Sequence, residues 1–285
     1  MREKILSLME HKGEPPPLPQ MLLSLEKKIN DPDCDITEIA GLIETEPVLA
    51  GKLIRLANSV LFGGGRERAD EAYSAVLRLG VKMVLDLVYA VEIPKAFKKL
   101  RGFDHMSFWK HSFAVGFLSR TLSMKFLKDK EDREISYLAG LLHDMGILVF
   151  HHLLEKEYRD FLERIETDPR PLQELEEKQF GIGHAELGAC FIERWWPVSD
   201  LLVRGVRGHH AGLPSSGFPE DLVQLVAIAN ALANSNGILN GVVHPLPPAV
   251  SSETWMRRLE FSPDDYEILT GKIEELVQTA EMLLD

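Results

Sequence analysis

The chain has 285 residues, of which 45% are hydrophobic and 27% charged, so it can build a large core without disulfides or a structural metal. Acidic residues outnumber basic residues by 44 to 32, and the net charge of −12 disfavours a general nucleic-acid binder, which needs a basic face. Two cysteines are too few for a disulfide framework, and the sequence shows neither a membrane-spanning apolar run nor a signal peptide, so we expect a cytoplasmic protein without a membrane partner.

The first part of the chain has the apolar spacing of helices, and no alternating run typical of strands competes with it. Asp35 followed by Glu38 predicts a capping box, and Pro47 suits the first turn of a helix. The sequence predicts an N-terminal helical lobe over residues 1–103, with helices over residues 19–30, from Asp35 to about Ile43, from Glu46 to Asn58, over Tyr73–Leu79 and over Val81–Val91.

The predicted helix pair between Asp35 and Asn58 also has the spacing of a DNA-binding helix-turn-helix. Across residues 35–60, however, four acidic residues outnumber the two basic ones, Lys52 and Arg55. A helix that enters the major groove normally presents basic and amide side chains. We therefore interpret this segment as a packed helical module and regard nucleic acid as a disfavoured partner.

The second part of the chain continues the helical pattern from residue 104 onwards. We predict a second helical lobe over residues 104–235 and a C-terminal extension of a loop and a helix over residues 236–285. The predicted helices cover about 107–128, 134–153, 155–167, 170–180, 184–194, 199–208, 220–235 and 262–284, and residues 237–252 form a loop. The predicted fold class is therefore all-α, with two helical lobes.

Ten histidines are present, and their placement is more informative than their number. The pair His143-Asp144 interrupts the otherwise apolar stretch Tyr137–Phe150, which predicts a buried helix. A lone buried histidine is usually a satisfied core residue, but a buried ionised carboxylate is costly unless it is paired with a cation or a metal.

Further polar residues occur on apolar helical faces elsewhere in the second lobe: His111, His184, His209, His210 and Asn230. Imidazoles together with a carboxylate suit borderline metals such as iron, manganese or zinc. A carboxylate that bridges two metal ions about 3.5–4 Å apart is an arrangement used for phosphate hydrolysis. The spacing alone leaves two interpretations open, a metal site or separate structural histidines.

The order of these residues resembles the ligand order of the HD superfamily of metal-dependent phosphohydrolases. The first lobe is similar to one branch, the HDOD domain, whose motifs resemble Leu18-Pro19, Glu46–Leu49, Leu56–Phe62, Ala75–Gly80, Gly140–Gly146 and Phe180–Gly188. The resemblance covers residues 15–235 and implies a second lobe that is an HD-type helical bundle with a buried His/Asp metal cleft. HDOD proteins are similar to bacterial signal-output modules, mostly without a demonstrated enzymatic activity.

The resemblance also implies a ligand set of two groups that share Asp144. One metal would use His111, His143, Asp144 and Asn230, and the second would use Asp144, His184, His209 and His210. The expected cofactor is one or two transition-metal ions, iron or manganese first, with zinc or nickel as alternatives.

Three positions depart from the pattern of the catalytic relatives. Ile147 stands where HD-GYP phosphodiesterases have a lysine, Asn230 replaces the final aspartate ligand, and Ser107 occupies the place of a glutamate found in some members. The segment from His209 to Pro219 resembles a degenerate HH…GYP motif of the same enzymes. A lost lysine removes a cation that could stabilise phosphate charge, so these departures favour metal binding over turnover.

We therefore predict a signal-transduction output protein of the HDOD type that binds metal and acts through contact with a protein partner. The alternative is a metal-dependent phosphohydrolase or phosphodiesterase acting on a nucleotide or cyclic dinucleotide, in which Asp144 is the catalytic, metal-bridging residue. A short basic patch, Lys95, Lys98, Lys99 and Arg101, is interpreted as a solvated helix end, with contact to a small phosphate-bearing ligand or to the protein partner as the alternative.

Overall fold

The computed structural model describes residues 1–11, 18–59, 62, 67–97, 103–210, 221–242 and 251–284. Within these ranges the chain forms sixteen α-helices and no strand, which confirms the all-α prediction. In chain order they are α1 (Arg2–His11), α2 (Gln20–Ile29), α3 (Ile36–Glu44), α4 (Pro47–Ala57), α5 (Ala72–Leu79), α6 (Val81–Ala96), α7 (His105–Phe126), α8 (Lys130–Leu142), α9 (Met145–Leu153), α10 (Glu155–Ile165), α11 (Leu172–Phe180), α12 (His184–Trp195), α13 (Asp200–Gly208), α14 (Leu222–Ser235), α15 (Ser252–Leu259) and α16 (Pro263–Leu284).

The chain divides into two compact units. The smaller unit contains Pro16–Lys98 and Gly271–Asp285, and the larger unit contains Met1–Pro15 and Lys99–Thr270. The first residues of the chain thus group with the larger unit, and the end of α16 groups with the smaller one. The predicted domain boundaries after residues 103 and 235 stay predictions.

In the smaller unit, the amide of Asn58 ties the end of α4 to the segment before α5. Its Nδ2 donates to the carbonyl oxygens of Ile54 (2.9 Å) and Ala69 (2.7 Å), and its Oδ1 accepts from the Ala69 N–H (2.9 Å). Arg78 on α5 donates from Nη1 to the same Oδ1 (3.0 Å) and to the Ala57 carbonyl oxygen (2.9 Å). Asn58 and Arg78, both within the HDOD-like motifs, therefore have a structural role here.

The predicted start of α3 is only half confirmed. The Asp35 carboxylate accepts a hydrogen bond from the Glu38 N–H at 3.0 Å, as an N-cap should. The predicted capping box is wrong in its second half, because the Glu38 carboxylate pairs with Lys28 instead of reaching back to the Asp35 N–H. An ion pair to the neighbouring helix α2 has displaced the reciprocal bond.

In the larger unit, α7 and α8 cross at a pair of glycines. A Cβ atom on Gly140 would lie 2.6 Å from the Val115 carbonyl oxygen and 2.7 Å from the Gly116 Cα. Such distances are shorter than any van der Waals contact, so only glycine permits this approach. The close crossing lets His111 of α7 reach His143 at the end of α8.

A second glycine pair brings α9 against α12. A Cβ on Gly146 would lie 1.9 Å from the His184 carbonyl oxygen, and one on Gly188 would lie 2.7 Å from the Gly146 nitrogen. The first turn of α12 therefore lies directly on the first turn of α9. This contact places His184 beside Asp144, the residue that precedes α9.

The prediction of one continuous helix over 134–153 is wrong, because the chain turns at His143 and Asp144. His143 follows α8 in helical conformation, whereas Asp144 has φ −92° and ψ 9° and begins α9. The turn directs both side chains to the same side, which successive residues of a straight helix cannot do. Asp144 also gains from its position at a helix N-terminus, where the helix dipole favours negative charge.

Two helices lie outside the sequence predictions. α1 buries Ile5 and Met9. α15 buries Trp255 and begins at Ser252, the last residue of the predicted 237–252 loop. Residues 237–242 are not helical, as predicted, whereas 243–250 lie outside the described residues. Within the described ranges no single helix has both the length and the apolar composition to cross a membrane, and one bent helix pair, from Lys130 to Ile165, meets those criteria only across a 118° bend.

Candidate metal centre

Four imidazoles converge on the carboxylate of Asp144. The Nε2 atoms of His184 and His209 each lie 3.4 Å from Asp144 Oδ1. On the other side, the Nε2 atoms of His143 and His111 lie 3.3 Å and 3.7 Å from Asp144 Oδ2. Asp144 is therefore placed between two groups of nitrogen donors.

We call these groups the His111 half (His111, His143 and Asp144 Oδ2) and the His184 half (His184, His209, His210 and Asp144 Oδ1). Within each half the potential ligand atoms all lie within 4.8 Å of one another. His210 joins the His184 half through its Nε2, which lies 2.8 Å from His184 Nε2. The His210 side chain is exposed, whereas the other histidines and Asp144 are at most 2% exposed.

Backbone carbonyl oxygens orient three of these rings from behind. The Nδ1 atoms of His111, His143 and His209 each lie 2.7 Å from a carbonyl oxygen, those of Ile238, Gly140 and Val206 respectively. Each Nδ1 must carry the proton to donate there, so in the neutral form of each ring the lone pair lies on Nε2, the nitrogen that faces Asp144. This tautomer is the one that a metal-binding imidazole requires.

His184 is oriented differently, by the buried carboxylate of Glu176 on α11. Glu176 Oε2 accepts from His184 Nδ1 at 2.6 Å and from the His184 backbone N–H at 2.7 Å, while Oε1 accepts from the Tyr158 hydroxyl. The sequence analysis missed Glu176 and Tyr158. The signal was present, because Glu176 interrupts the apolar stripe of Leu172, Leu175 and Phe180.

Asn240 is a second functional position that the sequence analysis missed. Its Nδ2 donates to Asp144 Oδ2 at 2.7 Å, on the side of the His111 half. Asn240 lies in the segment after α14 between Gly237 and Gly241, whose positive φ angles of 77° and 75° favour glycine. The same short segment supplies the Ile238 carbonyl that orients His111.

The remaining predicted positions are less directly placed. Asn230 is buried on α14, but its Oδ1 accepts from Asn234 Nδ2 at 2.9 Å, so its role as a ligand stays a prediction. Asp104 caps α7 by accepting from the Ser107 N–H at 3.0 Å, and the Ser107 hydroxyl donates to Asp104 Oδ2 at 2.7 Å. Ile147 is fully buried, with no cation at that position. In the predicted basic patch, Lys95 pairs with Glu92, whereas Lys98, Lys99 and Arg101 lie outside the described residues. The part of the HH…GYP-like segment that follows His210 also lies outside them.

The donor set fits a transition-metal ion. Burial, reinforced by neighbouring imidazoles, lowers the pKa of His111 and of His209 to about 4, so both rings are neutral and can act as ligands near neutral pH. Within the described part of the chain, His209 Nε2 is buried without a hydrogen-bond partner. A metal ion would satisfy this nitrogen and compensate the buried Asp144 charge at once.

The attraction between His184 and the neighbouring carboxylates determines the protonation of His184 and of Asp144. Although burial opposes it, the carboxylates of Glu176 and Asp144 raise the pKa of His184 to about 10. Burial likewise opposes the ionisation of Asp144, but the surrounding histidines, His143 first, hold its pKa well below the ordinary value. Without metal, a proton on His184 compensates the charge that a bound ion would otherwise neutralise.

Fold and site together define an all-α protein with a buried, histidine-rich cluster centred on one aspartate. The model of the HDOD domain family matches residues 16–212, which is most of the chain. The chain therefore belongs to the HDOD domain family. The matched range includes all five cluster histidines and Asp144 but neither Asn230 nor Asn240.

Solved structures of similar fold support the same class. An HDOD domain protein of unknown function from Geobacter sulfurreducens is 23% identical, with a TM-score of 0.74 over 99% of both chains. A protein from Shewanella amazonensis, described provisionally as a phosphohydrolase, is 22% identical, with a TM-score of 0.69 over 98% of this chain and 97% of that one. A protein from Marinobacter aquaeolei, described provisionally as a signal-transduction protein, is 18% identical, with a TM-score of 0.71 over 99% of this chain and 65% of that one. At these identities the likeness shows the fold.

A curated relative extends beyond the matched region. An uncharacterised protein of Treponema pallidum is 28% identical over 227 residues, which are 79% of this chain and 43% of the relative. The chain thus spans less than half the length of the curated relative that it matches.

Proposed function

We propose that this chain is a signal-transduction output protein whose larger unit holds one or two transition-metal ions, iron or manganese in the first place, and which acts through contact with another protein. The observation that carries the metal site is the convergence of buried imidazole Nε2 atoms on Asp144, with His209 Nε2 left without a hydrogen-bond partner in the described residues. Membership of the HDOD family and the fold shared with a signal-transduction relative support the signalling role.

Elemental analysis of protein purified without added metal tests the metal site. We expect about one or two transition-metal ions per chain, and loss of metal in Asp144→Ala, because Asp144 belongs to both halves. His152→Ala is a matched control, since His152 is an exposed histidine at the end of α9. A wild-type chain with only traces of metal, or an Asp144→Ala variant that keeps the wild-type content, would refute the site.

The contact role is supported by the surface of the smaller unit and by the net charge. On α5, Leu77 is 61% exposed and Tyr73, one turn earlier, is 41% exposed. Exposed apolar pairs of this kind are suited to contact with a protein, whereas a charge of −12 disfavours nucleic acid. We expect Tyr73→Glu/Leu77→Glu to lose a protein that copurifies with the wild type from the host, whereas Met124→Glu, at a 71% exposed residue of the larger unit, retains it. Identical copurifying proteins for both variants would contradict this role for α5.

A metal-dependent phosphohydrolase is the second candidate, favoured by the position of Asp144 between two potential metal positions. Bound metal ions would polarise a phosphate group and stabilise its developing charge. A panel of phosphate esters and cyclic dinucleotides, assayed with iron or manganese, decides between the candidates. Turnover that Asp144→Ala abolishes would establish the enzyme, and turnover equal to that of Asp144→Ala leaves binding as the function.

A further inference from the structure

We propose that the two halves of the cluster bind metal unequally, with the His184 half filling first and more tightly, because Glu176 acts on it as a positioning residue through His184. The inference rests on the proposed metal centre and adds an order of occupation and a residue that controls it. Three independent features of the site point to this order.

The first feature is the group that accepts the Nδ1 hydrogen bond of each histidine. His111, His143 and His209 donate from Nδ1 to backbone carbonyl oxygens, whereas His184 donates to the Glu176 carboxylate at 2.6 Å. A carboxylate acceptor increases the electron density of the imidazole and thus its strength as a metal ligand. Glu176 is fully buried, and hydrogen bonds from Tyr158 and from the His184 backbone N–H fix its orientation.

The second feature is an opposite effect on the His111 half. Asn240 Nδ2 donates to Asp144 Oδ2 at 2.7 Å, the same oxygen that faces His111 and His143. A hydrogen bond to a carboxylate oxygen stabilises its negative charge and makes that oxygen a weaker donor to a cation. No hydrogen bond to Asp144 Oδ1 from an amide appears among the described residues.

The third feature is the number of donors and their access to water. The His184 half has three imidazoles with Oδ1, whereas the His111 half has two imidazoles with Oδ2. His210 is exposed, whereas His111 and His143 are at most 1% exposed. More donors, a stronger imidazole and a solvent-exposed ligand all favour the His184 half.

Titration of metal-stripped protein with Mn²⁺, with free ion followed by electron paramagnetic resonance, measures the order directly. We expect two classes of site in the wild type that differ at least about tenfold in affinity. Glu176→Gln should weaken the tight class about tenfold and leave the weak class unchanged, because the loss of an ionic partner of a ligating histidine typically has this effect.

Glu176→Gln separates charge from structure. The glutamine keeps an acceptor oxygen for His184 and places an amide group against the Tyr158 hydroxyl, so a purely structural role predicts wild-type Mn²⁺ affinity. Glu177→Gln is the matched control, since Glu177 lies next to Glu176 on α11 but is exposed. Wild-type affinity in Glu176→Gln, or an equal loss in Glu177→Gln, would overturn the role of Glu176.

A second pair of variants keeps the test decisive if Glu176→Gln fails to fold. His209→Ala should remove the tight class and leave the weak one, whereas His111→Ala should do the reverse. Loss of the tight class in His111→Ala, or equal affinities in the wild type, refutes the order while the metal centre stands. Absence of Mn²⁺ binding in the folded wild type refutes the metal centre as well.

Discussion

Each compact unit contains polar side chains in apolar surroundings, but the two groups differ in how their atoms are satisfied. In the smaller unit, the amide of Asn58 donates twice and accepts twice, at distances from 2.7 to 3.0 Å. In the larger unit, the histidine Nε2 atoms face Asp144 at 3.3 to 3.7 Å. In the first group every polar atom of the Asn58 amide is hydrogen-bonded, whereas in the second the Nε2 atom of His209 has no hydrogen-bond partner among the described residues.

The two groups of polar side chains therefore have different physical explanations. Buried polar groups that satisfy one another need no further explanation than folding. Lone pairs that converge without protons between them repel one another, and they persist only where a cation or a proton compensates them. Asn58 and Arg78 are therefore structural, whereas the Asp144 cluster is a candidate site.

The largest effect is expected from Gly146→Ala, which tests whether the cluster depends on the α9–α12 contact. Its Cβ would lie 1.9 Å from the His184 carbonyl oxygen, so the helices must separate. We expect the free energy of unfolding to fall by about 3 kcal/mol or more, with loss of bound metal. In the smaller unit, Gly51→Ala is the control, because its Cβ has open space, and urea denaturation should show a gain of about 0.5–1 kcal/mol.

Metal binding to the Asp144 cluster of the larger unit should give the next largest change in the free energy of unfolding. At a free Mn²⁺ concentration about one hundredfold above Kd, the folded state gains about 2.7 kcal/mol, which corresponds to a rise in Tm of roughly 5–10 °C. Asp144→Asn should abolish the rise, because the neutral amide cannot compensate the ion. Calorimetry of both proteins with and without Mn²⁺ provides the measurement, and an equal rise in the variant would contradict the comparison.

Removal of the Asn58 network should destabilise the protein without affecting metal. Asn58→Ala leaves the Ala69 N–H and part of the Arg78 guanidinium without acceptors, so we expect a loss of about 2 kcal/mol in the free energy of unfolding. Metal content should remain that of the wild type. A double-mutant cycle with Arg78→Ala should show coupling of at least about 0.5 kcal/mol, and strict additivity would argue against the network.

The smallest effect is expected from His151, a buried histidine outside the Asp144 cluster. It tests whether unsatisfied ring nitrogens are sufficient to make a site. Its two ring nitrogens are buried without hydrogen-bond partners in the described residues, yet no other ligand atoms converge on them. It packs against the rings of Phe103 and Tyr158. Unsatisfied polar atoms alone therefore do not make a site, and His151 should behave as a buried neutral group.

Burial, with the charges of His105 and Arg159, lowers the pKa of His151 to about 4 from the ordinary 6.5. The unfolded chain then binds more protons between these values, so stability is full above pH 6.5 and falls as the pH drops towards 4. His151→Leu should make this decline shallower by up to about 1.4 kcal/mol per pH unit. A pH dependence in His151→Leu equal to that of the wild type would refute the assignment.

The all-α class, most helix positions and the identity of the cluster residues could be inferred from the amino-acid sequence. Helical periodicity and caps act over a few residues, so α2 to α14 lie close to their predicted ranges except where α8 and α9 replace one predicted helix. His143 and Asp144 were recognisable because a charged pair in an apolar stretch needs compensation, and the spacing of the HDOD-like motifs indicated the rest.

Only the tertiary structure decided which atoms meet. The break between α8 and α9 was missed because local periodicity continues across it, whereas the turn lies beside a close contact between Gly146 of α9 and Gly188 of α12. Glu176 on α11 pairs with His184 on α12, and Asn240 pairs with Asp144 across 96 residues, so both contacts depend on how separate segments pack and not on the periodicity within one helix. The sequence thus determined the candidate ligands, and the packing of α9, α11 and α12 decided that the two halves around Asp144 are unequal.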